Sequence, residues 1–123
     1  MEEPTNQSAQ QAPQESGCSA DGTEPFALRV IGDSMQPEFD DGHIIIVDPG
    51  HPLLNGAFAV IEQAGEFFFA QYRRRGSREW LQYLNPAFEP VELTAGYGAK
   101  GVVIQRCARR RRDIKHYDYP LMP

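Results

Sequence analysis

Short apolar segments bounded by turn-forming residues recur along this chain, and they constrain its fold more than any other feature. Each segment is shorter than a typical α-helix and shows no helical periodicity, so each predicts a strand. The segments cover residues 26–31, 43–48, 56–61, 66–72, 79–84, 91–94 and 101–106. A succession of short strands with tight connections predicts an all-β domain, built as a barrel or a rolled sheet.

The connections support this interpretation. Gln63-Ala64-Gly65 predicts a tight hairpin between the third and fourth strands, and Arg75-Gly76-Ser77 predicts the next turn. The one helical turn that the sequence predicts covers residues 35–39, where Pro37 lies near the start and its missing N–H costs little.

Residues 1–24 differ from the rest in composition. They are rich in Gln, Ser, Pro, Gly and acidic residues, and contain neither Lys nor Arg nor an apolar run. Such a segment buries too little apolar surface to offset the entropy of ordering, so we expect a flexible acidic tail. Without a basic start and an apolar run it does not resemble a secretory signal, and we expect a cytoplasmic protein with no membrane partner.

The remainder divides into a predicted β domain at residues 25–106 and a basic arm at residues 107–123. The whole chain has a formal net charge of −5, which the acidic residues of the tail account for. A basic arm can neutralise phosphates, so nucleic acid is one candidate partner, and a solvated arm that pairs with the acidic tail is the alternative. Four consecutive arginines carry most of the arm's charge: Arg109, Arg110, Arg111 and Arg112.

Metal and cofactor chemistry have no support in the sequence. The two cysteines, Cys18 and Cys107, lack the spacing of metal ligands, and the three histidines do not complete a set. We therefore expect free thiols, no metal and no cofactor.

The segment from Val30 to Asp48 is the most informative for function. It predicts a strand, a corner that contains Gly32 and Ser34, and a second strand. A serine at such a corner can present its hydroxyl as a nucleophile while its own backbone N–H serves as an oxyanion donor. Gly-Asp-Ser is also an ordinary loop tripeptide, and Asp33 is interpreted as a turn former.

A chain of motifs resembles the superfamily of LexA-type repressors, UmuD-like proteins and bacterial signal peptidases. The motifs are Gly32-Asp33-Ser34-Met35, Pro37-Glu38-Phe39, Asp41-Gly42, Val47-Asp48, Asn55-Gly56, Ala64-Gly65, the segment 84–88 and the final strand 101–104. The resemblance covers residues 25–106 and implies the rolled β-sheet, or β-ribbon, domain of Ser/Lys-dyad peptidases, here without the repressors' helix-turn-helix. It implies Ser34 as the nucleophile and Asp33 and Met35 as binding residues.

The resemblance also implies a general-base lysine on the second hairpin strand, because burial disfavours the charged form and leaves a neutral amine. Counting from Asn55-Gly56 without gaps places that position at Ala70, which shares a strand face with Phe68 and Tyr72. Alanine cannot accept a proton. The only lysines, Lys100 and Lys115, lie elsewhere, and His43 is an alternative base more in keeping with a structural histidine.

Self-cleaving relatives need an Ala-Gly or Cys-Gly bond upstream of the serine, and this chain has neither before Ser34. The leading hypothesis is a homodimeric, catalytically inactive module that binds a peptide or protein segment in the groove between Ser34 and Ala70. Two alternatives stay open: an active peptidase in which alanine replaces the lysine, and a nucleic-acid-associated protein that uses the Arg-rich arm. Dimerisation is expected through an exposed strand edge at residues 102–106.

Overall fold

The computed structural model describes residues 9–11, 24–108 and 114–119. This part of the chain contains strands and turns and no helix, so the predicted all-β class is confirmed. The strands are β1 (Ala9–Gln11), β2 (Phe26–Val30), β3 (Ile44–Asp48), β4 (Phe58–Gln63), β5 (Glu66–Arg75), β6 (Arg78–Gln82), β7 (Val91–Glu92), β8 (Gly98–Cys107) and β9 (Ile114–His116). All seven predicted segments contain a strand, and β1 and β9 are additional. No helix in the described ranges is long and apolar enough to cross a bilayer.

The strands form one antiparallel sheet in the order β1-β2-β3-β8-β4-β5-β6-β7, with β9 pairing to β8. In addition to its pairing with β2, β1 lies against β5. Because β5 stands far from β2 in the strand order, this contact turns the sheet back on itself. The predicted rolled sheet is therefore confirmed.

Two bulges in β8 provide the bend that such a roll needs. The register with β3 passes from Ile46↔Gln105 to Val47↔Val103, which leaves Ile104 as an extra residue. The register with β4 passes from Val60↔Gly101 to Ile61↔Ala99 and leaves out Lys100 in the same way. An extra residue bends the strand and increases its twist, so β8 can pair with both of its neighbours as the sheet curls.

Both predicted hairpins are present. In the turn between β4 and β5, Ala64 and Gly65 have φ values of 54° and 81°, the signature of a type I′ turn. The predicted helical turn after Ser34 is reduced to a single bond of helical spacing, from the Phe39 N–H to the Met35 carbonyl at 2.9 Å.

An aromatic cluster joins the turn after Ser34 to the middle of the sheet. Phe39 is fully buried and packs edge-on against Phe58 and Phe69, with both pairs of ring centroids 5.0 Å apart. Tyr117 and Tyr119, which follow β9, also pack on Phe58, and Tyr117 contacts Phe39 as well. The segment 114–119 is therefore packed on the domain that the sequence analysis placed at 25–106.

The strand edge expected to form a dimer contact is not exposed, and this expectation is wrong. Val102 pairs with Asp48 on β3 and with Ala59 on β4. At the other end of the segment, Arg106 pairs with Ile45 and with Lys115 on β9. The bulges let β8 pair with β3 and β4, so Val102 and Arg106 have backbone partners on both sides.

Candidate functional site around Ser34

The loop that carries Ser34 is closed at its base by backbone hydrogen bonds. Val30 donates to the His43 carbonyl and Gly42 donates to the Val30 carbonyl, each at 2.8 Å. Within the loop, Gly32 adopts a φ of 87°, where a side chain would be strained, and its N–H donates to Asp41 Oδ1 at 2.7 Å. The chain therefore leaves β2 at a fixed corner, as the sequence predicts, with Asp41 supplying the carboxylate.

Ser34 is buried at this corner and its hydroxyl is not satisfied. Its exposed fraction is 6%, and it is the one polar residue among the described residues that is classed as buried. Its Oγ has no hydrogen-bond partner within the described part of the chain. A buried hydroxyl without a partner costs about 1–3 kcal/mol, and in native proteins such groups concentrate where a ligand, water or substrate completes the site.

Asn85 holds the serine corner from the opposite side. Its backbone N–H donates to the Ser34 carbonyl and its side-chain Nδ2 donates to the Asp33 carbonyl, both at 3.0 Å. Its Oδ1 accepts from the Ala87 N–H at 2.9 Å. The sequence analysis noted Asn85 only as part of a motif, and its role as a clamp emerges from the fold.

The two neighbours of Ser34 occupy different environments. Met35 is fully buried in the core, where it anchors the turn together with Phe39. Asp33 is exposed, and its carbonyl also accepts from the Gln36 N–H at 3.3 Å. Their roles as binding residues stay predictions.

Ala70 lies in the middle of β5, opposite Ala59 on β4. It is fully buried, as are its same-face neighbours Phe68 and Tyr72, so the setting is as apolar as expected. On its other side the register with β6 ends at Gln71↔Gln82, and the next residue of the chain is Tyr83. Position 70 thus borders the segment 83–85, whose last residue clamps Ser34. That a side chain at position 70 can reach Ser34 Oγ stays a prediction.

Tyr83, which lies in the predicted strand segment 79–84, is a further residue of this neighbourhood. It is 5% exposed and its hydroxyl, like that of Ser34, finds no partner among the described residues. Burial, together with the negative charge of Glu66, raises the pKa of Tyr83 to about 12. The phenol therefore stays protonated near neutral pH and offers a hydrogen-bond donor rather than a base.

The candidate bases are engaged elsewhere. Lys100 Nζ pairs with Glu62 Oε1 at 3.1 Å, and Lys115 Nζ pairs with Glu38 Oε2 at 2.7 Å. His43 is turned toward Asp40, whose N–H donates to its Nδ1 at 3.0 Å. Each of these three groups thus has a partner that is not Ser34.

Glu38 fastens the far end of the serine turn to the last described segment. Its Oε2 accepts from Lys115 Nζ and from the Tyr117 hydroxyl, both at 2.7 Å, while Arg106 Nη1 lies 3.3 Å away. Burial alone would raise the pKa of Glu38, but the two hydrogen bonds and the two positive charges outweigh it and lower that pKa below 4.5. The carboxylate is therefore ionised whenever the domain is folded near neutral pH.

A segment of the chain itself lies beside the strand that leads to Ser34. β1 pairs antiparallel with β2 through Ala9↔Val30 and Gln11↔Leu28, and it also lies against β5. It thus runs between the strand that leads to Ser34 and the strand that carries Ala70. Most of the predicted tail, and Arg109 to Arg112 of the predicted arm, lie outside the described residues.

Comparison with known proteins agrees with this geometry. Residues 2–105 match the family described as Peptidase S24-like, which is more than half of the chain. The chain belongs to the Peptidase S24-like family. The resemblance inferred from the motifs around Ser34 is thereby confirmed at the level of the superfamily.

The curated proteins to which the chain is similar include repressors. Prophage repressor CohE of Escherichia coli (strain K12) is 36% identical over 98 residues, which are 76% of this chain and 44% of CohE. The LexA repressor of Mycolicibacterium paratuberculosis is 36% identical over 72 residues, 58% of this chain and 31% of the relative. That of Mycobacterium ulcerans is 33% identical over 67 residues, 54% and 28% respectively. The matched region is less than half the length of each relative.

Proposed function

We propose that this S24-like domain binds an extended peptide segment beside Ser34 and does not hydrolyse it. The observation that carries the proposal is where the candidate bases lie and what they contact. The position that the motif alignment gives to the base is the buried Ala70, and both lysines of the chain are held in ion pairs with glutamates. A serine hydroxyl without a base nearby is a poor nucleophile, whereas a groove for a strand does not need one.

The position of β1 along the edge of β2 supports an extended peptide as the ligand. A strand added to the edge of β2 gains main-chain hydrogen bonds, which give affinity without dependence on one sequence. β1 occupies that edge over three residue pairs and ends its pairing four positions before Ser34. A peptide or protein segment from a partner would take the same place, in competition with β1.

This competition provides the test. In an antiparallel pair, the backbone N–H groups of consecutive residues point alternately toward the partner strand and away from it. Proline has no N–H, so the double substitution Ala9→Pro/Gln10→Pro must remove one hydrogen bond between β1 and β2. We expect it to raise the affinity for a labelled peptide with the sequence of residues 5–15 by tenfold or more in fluorescence anisotropy. Ser16→Pro/Gly17→Pro, outside β1, is the matched control. Equal affinities in both variants and in the unmodified chain would contradict the proposal.

A regulatory role is the setting we propose for this binding, because the named relatives are repressors. We also propose that the domain works as a homodimer, although through a surface other than the covered strand β8. Light scattering at micromolar concentration tests this directly, and a monomer there would contradict it.

The second candidate is an active Ser/Lys peptidase in which alanine replaces the lysine at position 70. It is favoured by the retention of a fixed serine corner with a buried hydroxyl, a feature that peptide binding alone does not require. Under both functions the present chain carries alanine where the motif alignment puts the base.

A further inference from the structure

A hairpin of β5 and β6 extends beyond the rest of the sheet and concentrates positive charge. We call residues 73–80 the arginine ribbon. The pairing of β4 with β5 ends at Gln71, and β7 meets β6 only from Trp80 onward. Between these limits the two strands of the ribbon pair with each other, and two further bonds tie them to the domain: the Arg74 N–H donates to Asn55 Oδ1, and the Glu79 carbonyl accepts from the Leu93 N–H at 3.0 Å.

The register assigns the side chains of the ribbon to its two faces. Arg73 lies opposite Trp80 and Arg75 lies opposite Arg78, so these four side chains share one face. The contact of the Arg78 guanidinium with the Trp80 ring, 4.7 Å from the centroid, agrees with this assignment. Arg74 and Glu79 pair on the other face.

The charges on this ribbon are only partly neutralised by their surroundings. Arg73, Arg74 and Arg75 are exposed, and none forms an ion pair within the described part of the chain. Only Arg78 has one, to Glu92 at 3.2 Å. The carboxylate of Glu79, opposite Arg74, accepts hydrogen bonds from the Tyr72 and Tyr97 hydroxyls, and these bonds together with the charge of Arg74 lower the pKa of Glu79.

The chemistry of the surface favours a nucleic acid over a protein partner. Protein interfaces have an apolar centre from which charged residues are depleted, whereas nucleic-acid interfaces are strongly positive and polar. The exposed large apolar side chains of the described residues are Ile31, Phe67, Phe88 and Ile114, and all four lie outside the ribbon. Guanidinium groups also match the geometry of phosphate oxygens better than ammonium groups do.

The shape of the ribbon favours a duplex. The major groove of B-DNA admits a two-stranded β-ribbon, and arginines on alternate positions of one strand stand about 6.8 Å apart along it. Trp80 has one face covered by Arg78 and its Nε1 donates to Gln82 Oε1 at 3.2 Å, so it is less available for stacking on an unpaired base.

We propose that the arginine ribbon binds the phosphate backbone of duplex nucleic acid, with the ribbon lying in the major groove. Arg73, Arg74 and Arg75 supply the phosphate contacts, and Arg78 is held in place by Trp80 and Glu92. The residues of this surface are distinct in sequence from Ser34 and from the four arginines at 109–112.

The test measures binding of the full chain to a labelled 25-base-pair duplex by fluorescence anisotropy at several salt concentrations. The variant Arg73→Gln/Arg74→Gln/Arg75→Gln should bind at least tenfold more weakly at low salt. Its slope of log affinity against log salt should be shallower by about 2–3, since each lost phosphate contact removes about 0.9. The arm variant Arg109→Gln/Arg110→Gln/Arg111→Gln has the same change in charge. Its slope of log affinity against log salt should stay close to that of the unmodified chain.

Ribbon-variant binding equal to that of the unmodified chain overturns the proposal, whatever the arm variant does. A single strand of the same sequence that binds as tightly as the duplex overturns the groove docking. If polyglutamate competes as well as the duplex at equal charge, the proposal is overturned in favour of an acidic protein partner. Because Arg73, Arg74 and Arg75 are exposed, circular dichroism melting should give the same midpoint for the ribbon variant and the unmodified chain.

Discussion

The backbone N–H of Asn85 donates a hydrogen bond to the carbonyl oxygen of Ser34, across 3.0 Å and 51 positions of the chain. The side-chain amide of Asn85 bonds the neighbouring Asp33 carbonyl, and its side-chain oxygen is used by Ala87. The loop after β6 and the corner after β2 are therefore held as one unit. We infer that the precision of the serine corner depends on Asn85 rather than on a helix.

Asn85→Asp tests this clamp, because it preserves the acceptor for Ala87 but replaces the donor to the Asp33 carbonyl with a negative oxygen. We expect the free energy of unfolding to fall by about 1–3 kcal/mol, measured by urea denaturation at pH 7. Gln82→Glu is the matched control, since Gln82 uses only its Oε1, as acceptor for Trp80, and should change stability by less than about 0.5 kcal/mol. Equal losses in the two variants would refute the clamp.

Glu38 should make stability depend on pH. Its pKa in the folded domain is lowered, so it stabilises the fold above the ordinary carboxyl value of 4.5, and this stabilisation is lost as the pH falls through the lower, folded value. Glu38→Gln should therefore cost about 1–2 kcal/mol at pH 7 and much less at pH 3, in urea denaturation at each pH.

Glu62→Gln is the control for Glu38, because its pair with Lys100 is more exposed, with side chains 37% and 45% accessible. An exposed pair contributes little, so this variant should lose under about 1 kcal/mol at both pH values. A Glu38→Gln cost that is the same at pH 7 and pH 3 would show that the carboxylate charge is not what stabilises the turn.

Gly101 is required by the close packing of β8 on β3. A Cβ at this position would lie 2.5 Å from Val47 Cγ1, in a side chain that is fully buried, and 3.0 Å from the Asp48 backbone. Gly101→Ala should therefore lower the free energy of unfolding by about 1–3 kcal/mol. Gly98→Ala in the same strand meets open space and should be neutral or stabilising. Thermal melting of the pair checks this, and similar melting points would contradict it.

Much of the fold could be read from the sequence because the strands are short, apolar and separated by turn residues, so local patterns mark them. The two bulges in β8 and the covering of its edge by β9 could not be read, because they depend on pairing between distant segments. The wrong dimer edge at residues 102–106 follows from that limit. The sequence places Ser34 at a corner. The roles of Asn85 and Glu38 rest on contacts 51 to 79 positions away, and that of Tyr83 rests on burial that no local pattern reveals.

The most direct test of the central claim is the reactivity of Ser34 when position 70 carries a lysine. A lysine there would extend from a buried strand face, where desolvation lowers its pKa toward neutrality and allows it to act as a base. We compare the unmodified chain, Ala70→Lys and Ala70→Met, which adds similar bulk without an amine, in labelling by a serine-directed fluorophosphonate probe. The account predicts no labelling of the unmodified chain or of Ala70→Met, and labelling at Ser34 about 10²- to 10⁴-fold faster in Ala70→Lys, abolished by Ser34→Ala. Labelling of Ser34 in the unmodified chain at the rate of Ala70→Lys, or a folded Ala70→Lys that stays inert, would contradict it.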